Sequence, residues 1–201
     1  KKWTFRAGAR GGDDAYGGWN LAFGGGVGLK TSSRWNLNLS PYVSRSYTVA
    51  QYVTTVADEA ATHTYGAHYL FAPLHQTTVS LETRLDFTFT PTLSFQLFAQ
   101  PFISSGDYDA VAELSAPESY DFDSWAGEVP NLDFNYRSLR GTAVLRWEWR
   151  PGSTLYFAWQ QARSDYAQGI GDFDLSRDQQ ALFRAPADNV FVLKMNYWIS
   201  P

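Results

Sequence analysis

The chain has 201 residues, a formal net charge of −4, 18% charged and 17% aromatic residues, and no cysteine. That length suits a single domain. The missing cysteines exclude a disulfide framework and thiolate metal sites, and no run of about 18 apolar residues offers a transmembrane helix. No charged-then-apolar leader opens the sequence, so an exported protein would carry its signal outside these residues.

Period-two alternation dominates, with turn signals between the alternating runs, and helical periodicity is almost absent. The pattern predicts strands over 2–10, 18–30, 34–54, 64–90, 93–104, 135–150, 153–165 and 189–200. Three connections are short: 30–34, 90–92 and the Arg150-Pro151-Gly152-Ser153 turn. Two are very long, 105–134 and 166–188. Taking 64–90 as one strand bent near Ala72-Pro73 makes short and long connections alternate strictly. All short turns then share one end, as in a transmembrane β-barrel.

Sorting the strands by parity separates two faces. In 143–149, Ala143, Leu145, Trp147 and Trp149 alternate with Val144, Arg146 and Glu148. In 79–89, Val79, Leu81, Leu85, Phe87 and Phe89 oppose Ser80, Glu82, Arg84, Asp86 and Thr88. Alternation alone also fits a soluble barrel with its apolar face inward. Two details favour the inverted arrangement. Gly24, Gly26, Gly28, Ser40 and Ser44 share the polar face with opposite charges, as a narrow lumen requires, whereas glycine on a solvated outer face only weakens a strand. Aromatics on the apolar face gather towards the two ends: Trp3, Trp35, Phe87, Phe89, Trp147, Trp149 and Tyr197 near the short turns, Trp19 and Trp159 towards the long loops. Such girdles mark the two interfaces of a membrane. From Trp35 to Arg45 a tilted strand covers about 25 Å, the height of an apolar band.

Charge divides along the same lines. The lumenal face receives Arg6, Arg10, Lys30, Arg84, Arg140, Arg146, Arg150 and Lys194 against Glu82, Asp86 and Glu148. Between Asp107 and Asp133 lie eight acids and no basic residue. A paired plug of lumenal charges under an acidic cap is the expectation, since an eight-stranded interior is just wide enough to be filled by side chains.

The runs TVSLETRLDFTFTPTLSFQLFAQPFISSGDY (78–108), YRSLRGTAVLRWEWRPGSTLYFAWQQ (136–161) and FDLSRDQQALFRAPADNVFVLKMNYW (173–198) carry a resemblance. The chain from about residue 64 onward resembles the C-terminal β-barrel region of an uncharacterised bacterial outer-membrane family. Members of that family carry an N-terminal domain similar to family-nine carbohydrate-binding modules. That domain is missing from this sequence and the barrel region is shorter, so the resemblance implies an excised barrel, a fragment or a shorter relative. It supplies no catalytic residues.

Three Asp-x-Asp pairs, Asp107/Asp109, Asp121/Asp123 and Asp172/Asp174, could contribute oxygens to a Ca²⁺ shell, but the glycine and terminal glutamate of an EF-hand are absent. A solvated acidic loop surface is the plainer expectation, and no other cofactor is implied. His63, His68 and His75 lack metal-ligand spacing, and no Gly-x-Ser-x-Gly or triad setting appears. Nothing suits nucleic acid, because the basic groups face inward and the loops are acidic. The final strand, alternating to Trp198 and Ile199, resembles the C-terminal signal read by the bacterial barrel-assembly machinery, and pairing of this strand with the first would close the barrel.

The sequence therefore predicts one all-β domain over 1–201: an antiparallel up-and-down transmembrane β-barrel of eight strands in the bacterial outer membrane, with both termini in the periplasm. Its expected role is a non-enzymatic membrane anchor or scaffold contacting outer-membrane lipid. A porin-like channel or transporter, alone or as part of a wider barrel, is the rival, and a lipid-acting barrel enzyme comes third.

Overall fold

Between Arg150 and Ser153 the chain reverses through Pro151, whose ring sets φ for the first corner, and Gly152, which takes φ +77° at the second. The computed structural model describes residues 2–32 and 34–199. It contains eight long strands: β1 (Lys2–Asp13), β2 (Trp19–Ser32), β3 (Trp35–Ala57), β4 (Ala67–Thr90), β5 (Leu93–Tyr108), β8 (Phe134–Arg150), β9 (Ser153–Gln168) and β10 (Ala187–Asn196). A small hairpin, β6 (Ala112–Leu114) and β7 (Phe122–Ser124), fills the gap between β5 and β8. A 3-10 turn (Thr62–Thr64) joins β3 to β4, and one helix, α1 (Leu175–Arg184), lies between β9 and β10.

Sequence neighbours pair antiparallel in the order β1-β2-β3-β4-β5-β8-β9-β10, with β6 pairing both β4 and β7. β4 is one continuous strand through Pro73, as the alternation of connections requires. The register irregularities that accommodate it fall on the β3–β4 ladder, between Thr48 and Gln51 and between Tyr52 and Thr54.

Two expectations are corrected. The segment 166–188 contains a helix: Asp174 caps α1 by accepting from the Arg177 amide, and Pro186 disfavours helical geometry at Ala185, where the helix stops. The sheet is also open. β10 pairs with β9, and among the described residues no ladder joins β10 to β1, so closure of the final strand onto the first is not formed. Among the described residues β1 pairs only β2 and β10 only β9, so both outer edges of the sheet keep a free row of backbone groups. β10 itself ends at Asn196, and residues 200–201 of the expected final strand lie outside the described residues.

Burial is concentrated at the long-loop end, where Leu70, Ala72, Leu74, Ile103 and Leu182 are covered. The rest of the apolar side ranges from half-buried to exposed, and it is most exposed in β10. Phe191, Leu193 and Met195 are 64%, 68% and 65% exposed.

Candidate functional site

Away from the bulges, each ladder of the long strands pairs odd residues with odd and even with even, so parity labels the two faces across the whole sheet. The odd face carries an apolar belt. It runs from Trp19 to Leu29 in β2, Val79 to Phe89 in β4, Leu93 to Ile103 in β5 and Leu139 to Trp149 in β8, interrupted among these strands only by Thr83. Towards the long loops the same face turns polar, with Arg45 after Val43, Thr77 before Val79, Ser105 after Ile103 and Arg137 before Leu139. Eleven residues of strand tilted near 45° is the length that crosses a hydrocarbon layer, about 23 Å here.

The belt does not follow the hydrogen-bonded rungs. Its upper edge lies on one rung across Val43, Val79 and Ile103, then steps down. In β8 it lies at Leu139, two residues below Arg137, the partner of Ile103. In β9 it lies at Trp159, four residues below Arg163, the partner of Leu139. The short turns descend in the same direction. Trp35, just after one turn, pairs with Phe87, three residues short of Thr90 at the next; Leu93, after that turn, pairs with Trp147, three residues short of Arg150. Three residues per hairpin is about 1.5 per strand, or about 5 Å of slip for each strand spacing of about 4.8 Å. The turns therefore define a plane that the strands cross at about 45°, close to the 35–45° tilt of barrel walls, and the belt edge descends the same way beyond β5.

Aromatics line the belt's lower edge. Trp35 meets Phe87 edge-on, Phe87 meets Phe89 likewise, and Trp147 contacts Trp149. Tyr197 receives a 2.9 Å hydrogen bond from Arg150, and Trp3 stacks on Phe5. Towards the upper edge, Trp19 is exposed, and Trp159 stacks on Phe191 while its indole N–H donates to Asn189 at 2.9 Å.

The even face carries the expected charges, differently connected. Its ion pairs run along strands: Arg84 to Glu82 at 2.9 Å and Arg146 to Glu148 at 3.1 Å. The intervening strand β5 is uncharged there, so Asp86 accepts from Asn36 and Gln96, and Arg84 lies over the Phe98 ring. Arg10 reaches Tyr42, Arg6 lies against Gly26, and Lys194 lies 6.0 Å from the Tyr156 ring centre. Arg140 is exposed on this face. Arg150 leaves the network: a register irregularity after Glu148 turns it to the rim and onto Tyr197.

The Asp-x-Asp pairs are held apart. Asp109 approaches His75 at 3.6 Å, Asp172 binds Arg177, Asp174 caps α1, Asp107 pairs with His75 across β4–β5, and Asp123 pairs with Glu113 in the small hairpin. Asp121 accepts the Ser115 amide through its carbonyl. No three acids or histidines converge on a metal-sized space among the described residues.

Two polar clusters escaped sequence reasoning because their members are far apart in the chain. In one, His68 lies between Asp58 (3.1 Å) and Glu113, with Trp125 packed against its ring. This ties β6 to β4. Asp58 first and then Glu113 raise the imidazole above its ordinary value. The pairing is therefore complete below about pH 6.5 and is lost as pH rises through the raised value. Asp58 is lowered, first by the Ala60 amide and then by His68, so its share is lost only as pH falls through that lowered value. Hydrogen exchange at 112–114, corrected for intrinsic rates, should accelerate as pH rises through the His68 titration. His68→Gln should abolish that dependence; a dependence that survives would assign it elsewhere.

The second cluster docks α1 onto the odd face above the belt. Asp178, fully buried, accepts from Asn135 Nδ2 (3.1 Å), the Asp174 amide (3.1 Å) and Arg177 Nε (2.9 Å), and lies 3.3 Å from Arg137 Nη2. Arg137 also binds Asp165, and Arg163 donates to the Phe183 carbonyl at the helix's far end.

A comparison with curated proteins finds no match. The family model described as a domain of unknown function, DUF5916, matches residues 14–200, nearly the whole sheet from the end of β1 through β10. The chain, with its obliquely belted sheet, belongs to the DUF5916 family.

Proposed function

We propose that the chain forms a transmembrane wall of a bacterial outer-membrane β-barrel and serves as a membrane anchor and scaffold. It would present the long-loop end, with its acidic segment 107–133, to the outside. The observation that carries this reading is the apolar belt, whose upper edge is level across β3, β4 and β5 and then descends through β8 and β9 in the same direction as the short turns. A soluble sheet buries its apolar face against a second layer and has no reason to lower its polar boundary in the direction of its turns. A bilayer imposes that boundary, and the apolar face finds in lipid the cover it otherwise lacks. No helix among the described residues is long and apolar enough to cross a membrane, so strands would do the crossing. The unpaired β1 and β10 edges favour a second reading, in which these strands are one sector of a wider, conducting barrel.

The test is heat-modifiable mobility of the protein folded into detergent micelles, with circular dichroism alongside. A β-rich spectrum and a band that shifts on boiling are expected. A water-soluble monomer without detergent would overturn the membrane reading. Planar-bilayer conductance separates the two versions: steady steps support the wider barrel, and a silent, heat-modifiable protein supports the anchor.

A further inference from the structure

Where α1 crosses above the belt, it leaves a half-open groove of about 620 Å³ between its own flank and the sheet. Val43, Val79 and Ile103 form the floor, on the rung that marks the belt's upper edge. Leu175, Leu182 and Phe183 form the wall. Leu182 is buried, while Leu175 and Phe183 are 54% and 60% exposed and line the mouth. Gly25, where an added Cβ would stand 3.7 Å from the Pro41 ring, and Pro41 itself line the floor one rung further down. The groove is thus an apolar slot opening at the level where hydrocarbon would give way to headgroups.

Of the described cations at that level on this face, Arg137 and Arg163 are already held by Asp165, Asp178 and the end of α1. Arg45 is exposed on the same face, two residues above Val43, or about 6.6 Å along the strand. Asp165 and Asp178 beside the helix are bound by Arg137 and Arg177, and Asp107, on the same face, lies two strands away from Arg45 and one rung higher. An occupant matching both features is a long apolar chain joined to an anion. Resting on the membrane reading above, we infer that the groove binds one anionic phospholipid, an acyl chain lying between α1 and the sheet and its phosphate on Arg45. Phe183 and Leu175 hold the chain at the mouth, and the guanidinium selects an anionic headgroup over a zwitterionic one.

The test uses the protein folded in non-ionic detergent, titrated with phosphatidylglycerol and read by native mass spectrometry. One tightly held lipid is expected, with phosphatidylcholine bound more weakly. Arg45→Glu and the double variant Leu175→Glu/Phe183→Glu should each weaken retention about tenfold, about 1.4 kcal/mol. All three side chains are exposed, so folding should survive, and heat-modifiable mobility of each variant checks that it does. Displacement by millimolar inorganic phosphate would reduce the site to a simple anion site and overturn the proposal. Equal retention by wild type and variants would make the lipid merely annular and overturn it too. A chain that folds only in water, without detergent, would fail the membrane reading itself and take the phospholipid with it.

Discussion

Leu97→Arg should destabilise the protein in a lipid bilayer by about 2–4 kcal/mol, while Phe89→Arg should cost about 1 kcal/mol or less. Leu97 lies near the middle of the eleven-residue belt in β5, paired with Leu85 on one side and Ala143 on the other. Phe89 belongs to the aromatic rim beside the turn. A guanidinium at Leu97 must be drawn into hydrocarbon or thin the bilayer around itself; at Phe89 it reaches the headgroups directly. Gln96→Arg is the control on the opposite face. Gln96 already donates to Asp86 at 3.2 Å, so the new cation meets a carboxylate and the change should stay within about 0.5 kcal/mol. Denaturant unfolding from vesicles measures all three. If the belt is instead the core of a soluble barrel, Leu97→Arg and Phe89→Arg should both be costly, with no dependence on depth. If the odd face simply meets water, Leu97→Arg should be neutral.

The strands were legible because their information is local. A β-strand with one apolar face writes period two into consecutive residues, and Arg150-Pro151-Gly152-Ser153 writes its own turn. Boundaries were met within a few residues; β5 runs on to Tyr108 because Ser105 and Asp107 still pair with Thr77 and His75 beyond the apolar run. The helix was missed for an equally physical reason. LSRDQQALFR (175–184) is only ten residues long, and its apolar side, Leu175, Leu182 and Phe183, is interrupted by Asp178 and Gln179, so the period is hard to read in so short a run. The capping Asp174 and the following Pro186 were its only local signals.

The charged face was legible in membership and not in wiring. Parity groups Glu82, Arg84, Asp86, Arg146 and Glu148 on one face, but pairing depends on register, which sequence does not state. With register fixed, the uncharged residues of β5 separate the acids and bases of β4 from those of β8, and each strand pairs its own. Register also exposed the shear. The three-residue step from turn to turn appears only once Trp35 is known to face Phe87 and Leu93 to face Trp147.

Asp178→Leu should release α1 while leaving the sheet intact. The carboxylate holds four groups from two segments: Arg177 and the Asp174 amide at the helix's first turn, and Asn135 and Arg137 from β8. Leucine would leave the Asn135 amide without this acceptor and Arg137, only 3% exposed in its side chain, with Asp165 as its remaining carboxylate. Losing one partner of a buried ion pair typically costs about 3–5 kcal/mol. That exceeds what a ten-residue helix anchored by one buried leucine can offset, so undocking is the cheaper outcome. Hydrogen exchange across 175–184 should then accelerate more than 100-fold, about 3 kcal/mol, with amides at 143–147 unchanged. Burial raises the Asp178 pKa, but hydrogen bonds from Arg177, Asn135 and the Asp174 amide outweigh it and hold the carboxyl below its ordinary value. The wild-type latch should accordingly stay closed from neutral pH down to about 4 and open only as pH falls further, through that lowered value. Unchanged protection in Asp178→Leu would mean that Leu182 alone docks the helix. Faster exchange in 143–147 as well would mean that α1 and the sheet form one cooperative unit, with the phospholipid groove built into its stability.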